Sequence, residues 1–582
     1  MKKLISIFLL VAMLISVIPC VALSAAAETT PIDIMEYDDA KVASNQVYTI
    51  SSVEGFKKFV ELLVSTNDKG RPFGGDHTTQ AKDVTFKLMA DIDLNPGWDA
   101  ASYVNDADAT DEPAYIWPAF TNLTFASIFD GNGHTVKGIC QKNTAAEYSG
   151  IFGRAYGRNV TVKNLTILNS YSESSNMNGH GFLFGYMQTG PLVNIENVYI
   201  DARVVNTATA AGDYGVGGFI GGYNTNNAAA TLTIKNSVFA GSIEVTGTPT
   251  GNVYAGGMVG RFNGGNKVTT NPVIENSACY ADITVNAAES AYVMVGGLLA
   301  YHSYNGGSGC FNVKNCVSDV NFTYTGSTAE KTVYGSAIGA SRFATTPCPV
   351  NFDNIVQTGD AALLGCSFTQ GSSVDTSAAN YTASIKEGSD TEGVKVEASA
   401  LTGIAAQATL TANNLTDWTA TTMGKVLPRA LVVNVPGVVE TTVEGAATVL
   451  HGYQAKDAAG DTFDFRLVAT VDVPENVTVE KVGFIITANY GTTTLTKNYS
   501  TNTVYNSVTG NTETGLVAYT AKGEGEYALG GDYIFALAIT GAPVLTEGAI
   551  TLEVTTYYVS GTDTVYGETE VFTVTAPQDA LN

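Results

Sequence analysis

A unit of about 39 residues recurs between Gly150 and Val356, and it limits what the chain can fold into. Each copy holds a small-residue segment: Gly150-Ile151-Phe152-Gly153, Gly218-Phe219-Ile220-Gly221, Gly257-Met258-Val259-Gly260 and Gly297-Leu298-Leu299-Ala300, with degenerate copies at Phe182–Gly185 and Ser336–Gly339. Each then places an asparagine within a short strand, at Asn164, Asn197, Asn236, Asn276, Asn315 and Asn354, spaced 33, 39, 40, 39 and 39 residues apart. A fixed period in this range marks a repeat array, whose units bury their apolar faces only by stacking.

Aligned on the asparagine, the position two earlier is always apolar: Val162, Ile195, Ile234, Ile274, Val313 and Phe352. The position four earlier is apolar in every copy but Pro272, and the one between is polar in every copy but Val273. This is the period of two expected of a strand with one buried face, not the three-and-four spacing of a helix. The residue just before the asparagine reads Lys163, Glu196, Lys235, Glu275, Lys314 and Asp353, alternating in sign. Residues so far apart along the chain sense one another only if the copies stack in register, about 4.8 Å apart. The alternation therefore predicts one full coil per repeat. The asparagines would form a ladder of amides, each donating to the next.

With the turn Phe129-Asp130-Gly131-Asn132-Gly133-His134-Thr135, these segments give the chain a family likeness. It resembles the GLUG-type repeat proteins, right-handed parallel β-helices (pectate-lyase-like) of bacterial surface and secreted proteins. The resemblance covers residues 45–430, implies an extracellular solenoid and carries over no catalytic residue.

Residues 1–27 have the layout of an export signal: Lys2 and Lys3, an apolar run from Leu4 to Leu23 broken at Pro19, then Ala25-Ala26-Ala27. Pro19 stands where lipid attachment at Cys20 would need a small residue. No later segment has the length to span a membrane, and the C-terminus ends polar at Gln578–Asn582. The expected location is secreted or cell-surface associated, with no membrane insertion. A net charge of −25 argues against nucleic acid and anionic membranes as partners.

The expected fold is all-β, a right-handed parallel β-helix followed by an immunoglobulin-like β-sandwich. A tail at 28–44 leads into the β-helix at 45–431. Phe56, Phe59, Val60 and Leu63 fall at helical spacing within Ile50–Thr66, predicting a helical cap on the first coil. Residues 357–430 read as an irregular C-terminal cap. A linker at 432–444 precedes a sandwich at 445–577, where seven β segments run from Phe463 to Val574, one at Gly515–Thr520. Residues 578–582 form a tail.

Chemistry is harder to find. The mature chain would keep Cys140, Cys279, Cys310, Cys316, Cys348 and Cys366, in no metal-binding spacing. Cys279 and Cys316 fall in inward slots and read as buried thiols; a Cys310–Cys316 bond is the alternative. The pair Asp91 and Asp93 and the acidic stretch Asn105–Glu112 match no calcium loop and read as solvent-facing. Asp201, Asp282 and Asp319 sit at different offsets and do not stack, and His134 reads as a turn residue. The expectation is no catalytic residue, no metal and no cofactor. Tyr186, Tyr223, Phe262, Tyr301 and His302 follow the small-residue segments. Facing outward beside Asn224, Asn263 and Asn305 they would line a sugar-binding groove; facing loops they would only pack. The function expected is a secreted non-catalytic surface or adhesion protein that binds an extracellular polysaccharide or a host or bacterial surface protein. The alternatives are a polysaccharide lyase or glycoside hydrolase, and a structural spacer.

Overall fold

The computed structural model describes residues 30–64, 84–369, 389–438, 462–506, 511–512 and 533–574, less connecting residues within them. The expected export signal, the strand at Gly515–Thr520, Cys20 and Cys348 lie outside the described residues.

Residues 32–396 form a parallel β-solenoid in which each repeat makes one coil. Among the described residues a broad sheet of sixteen strands carries the asparagine segments, a second sheet has five strands and a third has seven. Pairing is parallel throughout, and Val193–Glu196 lie against Leu232–Lys235, 39 residues on. The inward column Phe86, Phe129, Val162, Ile195, Ile234, Ile274, Val313 and Phe352 is buried from end to end. That is the period of two seen in the sequence, closed into a core.

The charged column stacks as expected and is longer than the repeats. Lys87 pairs in register with Asp130, and Asp130 with Lys163, ahead of Glu196, Lys235, Glu275, Lys314 and Asp353. Eight successive rungs thus alternate in sign, with Lys163–Asp130 at 3.4 Å and Lys235–Glu275 at 3.8 Å. The asparagines occupy a corner instead of lying flat in a strand, with φ between 47° and 57°. Asparagine tolerates this left-handed region better than other side-chain-bearing residues. Its amide then points along the stack: Asn197 donates to Asn164 at 3.0 Å, Asn236 to Asn197 at 3.1 Å, and Asn354 to Asn315 at 3.1 Å.

The small-residue segments make the bend between the second and third sheets. A Cβ on Gly257 would lie 2.0 Å from the Gly297 carbonyl oxygen and 2.3 Å from Cys279 Sγ. Glycine is required there because the backbone runs directly over the broad sheet's inward residues. Cys279 and Cys316 point inward and are free thiols, as is Cys310, so the alternative Cys310–Cys316 bond is not formed. Burial pushes the Cys316 thiol up to about 12.

The helix Val53–Val64 covers the first coil. Ser52 Oγ accepts from Gly55 N–H at 3.0 Å, and Phe59 packs its ring 4.9 Å from Phe86 and 5.3 Å from Phe129. At the other end the chain turns back. Residues 401–438 lie as a strap along the outer face of the broad sheet, over Tyr199, Val238, Ala278, Val317 and Val356. Trp418 Nε1 donates to the Asn315 carbonyl at 3.1 Å, Tyr280 Oη to that of Val426 at 2.7 Å, and Thr166 Oγ1 to that of Asn434 at 2.6 Å. The strap therefore runs against the stacking direction and buries a face that would otherwise expose an apolar column. Beyond it are two four-stranded antiparallel sheets, one with Thr462–Val471 and Tyr533–Pro543, the other with Thr493–Thr501, Lys481–Tyr490, Ile550–Ser560 and Asp563–Val574.

Two stability measurements check this architecture. Glu275→Lys puts like charges on three adjacent rungs and should lower stability by about 1 kcal/mol, while adding Lys314→Glu and Asp353→Lys leaves a single like-charged step, at Lys235, and should restore about half of it in chemical denaturation. Trp418→Ala, which empties a fully buried slot under the strap, should cost about 3–5 kcal/mol. A triple variant no better than the single one, or a Trp418 variant of unchanged stability, would contradict the packing described.

Candidate functional site

The third sheet consists of Arg154–Tyr156, Phe184–Gln188, Ile220–Thr225, Val259–Gly264, Leu299–Tyr304, Ile338–Phe343 and Leu364–Thr369. Its register sorts the five aromatic and histidine positions into two slots on opposite sides of the sheet. One slot runs Arg154, Tyr186, Gly222, Arg261, Tyr301, Ala340 and Cys366. The next runs Ala155, Met187, Tyr223, Phe262, His302, Ser341 and Ser367.

The second slot faces the core. Tyr223, Phe262 and His302 are at most 1 % exposed, and their rings stack in a file, 5.0 Å and then 5.9 Å between centroids. Of the two readings open for these three, an outer groove and packing, the groove is ruled out for a geometric reason. Ile220 and Tyr223 both point inward although three residues apart, because the chain bends at the glycines between them. Counting in twos across that bend gives the wrong face. His302 is sealed in, with Nδ1 3.3 Å from Ser341 Oγ, and burial pulls its pKa down to about 3.

The first slot faces out, and only Tyr186 and Tyr301 of the five belong to it. Tyr186 is half-buried and stacks on Tyr148, with centroids 4.9 Å apart and planes 13° apart. Gly222 lies beneath its ring, where a Cβ would come within 2.9 Å of Cδ2. Burial raises the Tyr186 phenol, and a hydrogen bond with Asn224 and the charge of Arg261 pull it partly back. Arg154 lies over the Tyr148 ring at 5.8 Å. Arg261 sits between Tyr254 and Tyr301, 5.4 Å and 5.6 Å from their centroids. Tyr301 itself is only 2 % exposed, packed against Tyr254 and Phe368. One slot further along, Gln188, Asn224, Asn263 and Arg342 are half-buried on the same face, and Asn263 donates to Asn224 at 3.1 Å. The result is a strip of flat rings, guanidinium groups and amides held on strands.

Two other places invite chemistry. Inside the early coils, His180 Nε2 lies 2.9 Å from Ser172 Oγ, which donates to Gln141 Oε1 at 2.9 Å. Both residues are fully buried and the imidazole is held neutral, its pKa lowered to about 3. No substrate reaches this pair, which is interior packing. The described residues between Asn95 and Trp117 are fastened to the coils; of the acidic stretch Asn105–Glu112, residues 106–110 lie outside the described residues, and Asp111 and Glu112 are exposed as expected. Lys142 Nζ contacts both Glu112 oxygens at 2.8 Å, and Arg203 binds Glu244 through Nε and Nη2 while donating to the Tyr103 carbonyl at 2.6 Å. Burial would raise the Glu244 carboxyl, but Arg203 outweighs it and holds the group below its ordinary value. An open cleft of about 380 Å³ remains there, lined by Trp98, Asp99, Asp111 and Glu112 among others. Among the described residues no three His, Cys, Asp or Glu side chains converge as a metal site.

The architecture thus defines a class, the parallel β-solenoids. The chain is 27 % identical over 157 residues to Halomucin of Haloquadratum walsbyi, a stretch that covers 26 % of this chain and 2 % of that protein. The chain therefore spans a small fraction of the length of the curated relative it matches. No protein-family model and no solved structure matches. Among the described residues no helix is long and apolar enough to cross a membrane.

The buried histidine predicts an acid-sensitive core. The folded-state pKa of His302 lies below its unfolded value near 6.5, so on acidification only the unfolded chain takes up the proton. Stability should then fall as pH drops from about 6.5 toward 3, by up to ~1.4 kcal/mol per pH unit for this residue. His302→Phe, which repeats the side chain that Phe262 supplies in the neighbouring coil, should reduce the slope in denaturation series at pH 7, 6 and 5, the buried His180 still contributing its own share. An unchanged slope would show that the imidazole is not held neutral.

Proposed function

We propose that this is a secreted or cell-surface protein whose solenoid serves display and adhesion without catalysis, binding glycan or protein through its outer face. The strip around Tyr186 carries this reading. Flat rings, guanidinium groups and amides on strands of a stacked solenoid are suited to recognition, because a rigid frame loses little entropy on binding. The likeness to Halomucin, a protein whose name is that of a mucin, is in keeping with this reading. We read the solenoid as a right-handed β-helix of the GLUG type and the two C-terminal sheets as an immunoglobulin-like module. Exported by the N-terminal signal, such a chain would hold its binding strip away from the cell.

The test is location and adhesion measured together. The protein should appear in the medium or be accessible to protease on intact producing cells, and beads coated with it should adhere to polysaccharide- or cell-coated surfaces. The same polymers, assayed for new reducing ends and unsaturated products, should remain intact. A protein confined inside the cell, or turnover of any polymer, would overturn the proposal.

A further inference from the structure

The acidic residues of this chain are not spread evenly around the coil. Asp and Glu total 55 against 30 Lys and Arg. Yet residues 180–191, 214–230, 253–272, 293–310 and 332–349 contain no Asp or Glu at all. Those five stretches are the second and third sheets of successive coils, with the connections that return to the broad sheet. The preceding third-sheet strand, Arg154–Tyr156, lacks acids as well. The same side carries Arg154, Arg261 and Arg342, all half-buried on the outer surface of the third sheet. The alternating acids and lysines lie on the broad sheet instead.

From this distribution we infer that the outer face of the third sheet binds an acidic polysaccharide laid along the stacking axis. The inference rests on the adhesion reading above and names its ligand class. Arg154 and Arg261 lie three rungs apart, about 14 Å, and Arg342 lies two rungs beyond Arg261, about 10 Å. An extended chain with carboxylates or sulfates along it meets cations at several points on such a line. Guanidinium groups pair with these anions in a planar, two-pronged geometry. The half-buried Tyr148–Tyr186 stack offers a flat apolar surface to sugar rings, and Gln188 and Asn224 offer amides to hydroxyls. A line of cations without acids would attract any polyanion; rings and amides beside the cations favour a sugar polymer.

The experiment measures binding of the full chain to polygalacturonate and heparin, with dextran as a neutral polymer and single-stranded DNA as a polyanion of another class. The acidic polysaccharides should bind, more weakly as salt rises, and dextran should not. Gln188→Glu and Asn224→Asp place a carboxylate on the strip without altering size, and each should weaken binding roughly tenfold, the effect of one charge-assisted contact. Gln188→Lys should tighten it. Arg261→Gln should weaken it too, with thermal unfolding followed because Arg261 also packs between two tyrosines. Equal binding to dextran, indifference to Gln188→Glu, or DNA bound as tightly as the acidic sugars would overturn the inference. Adhesion of coated beads without binding to any of these polymers would remove the ligand class and leave the adhesion reading standing; loss of both would remove both.

Discussion

Each residue of a coil lies about 4.8 Å from its counterpart in the next, and the rest of the structure follows from that spacing. A side chain in such a column must be compatible with itself or with a fixed partner. Aliphatic and aromatic groups satisfy this by packing, as in the file from Phe86 to Phe352. Charges satisfy it only by alternating, which they do from Lys87 to Asp353. Amides satisfy it because each has a donor and an acceptor, as Asn164, Asn197 and Asn236 show. Each exposed ion pair contributes little. A slip by one residue, however, would turn an inward column outward, so the columns together specify the register.

Much of this is legible in the sequence because a repeat samples the same environment many times. The alternation in sign predicts one coil per repeat, and the pairing confirms it. Lys87 and Asp130 belong to the same column but do not stand out in the sequence, since insertions in the first coils break the spacing that would align them. The corner at each asparagine reads as strand because its neighbours on both sides are strands. The facing of Tyr223, Phe262 and His302 stays open in the sequence, because period-two counting holds only while the chain is straight, and the glycines before them bend it. Tyr186 and Tyr301 fall one position earlier relative to that bend and face out.

Segments that do not repeat carry no such signal, and they cover what the repeat leaves open. The broad sheet's outer columns at Tyr199, Val238 and Ala278 are apolar, which nothing in the coil itself explains. The strap supplies the other half of that core through Leu410, Trp418, Leu427 and Leu431. On the early coils the insertion does the same for Cys140 and Tyr171 through Ala100 and Tyr103, fastened by Arg203 and Lys142. The contacts that hold each covering segment join residues far apart in sequence: 30 positions between Glu112 and Lys142, 100 between Tyr103 and Arg203, and 103 between Asn315 and Trp418. Such contacts leave no local periodicity to read.

Net charge is likewise a property of the whole chain that a single face need not share. The broad sheet's charged column neutralises itself rung by rung, because alternation is the condition for stacking. The third sheet has no such column: its slots hold tyrosine, glycine, asparagine and arginine, and no acid. At physiological ionic strength a surface charge is felt over about 8 Å. A polymer lying on the third sheet therefore meets Arg154, Arg261 and Arg342 more strongly than acids elsewhere on the chain. An overall charge of −25 governs solubility and long-range encounter, while the sign of the near field on this side is set by the residues the repeat places there.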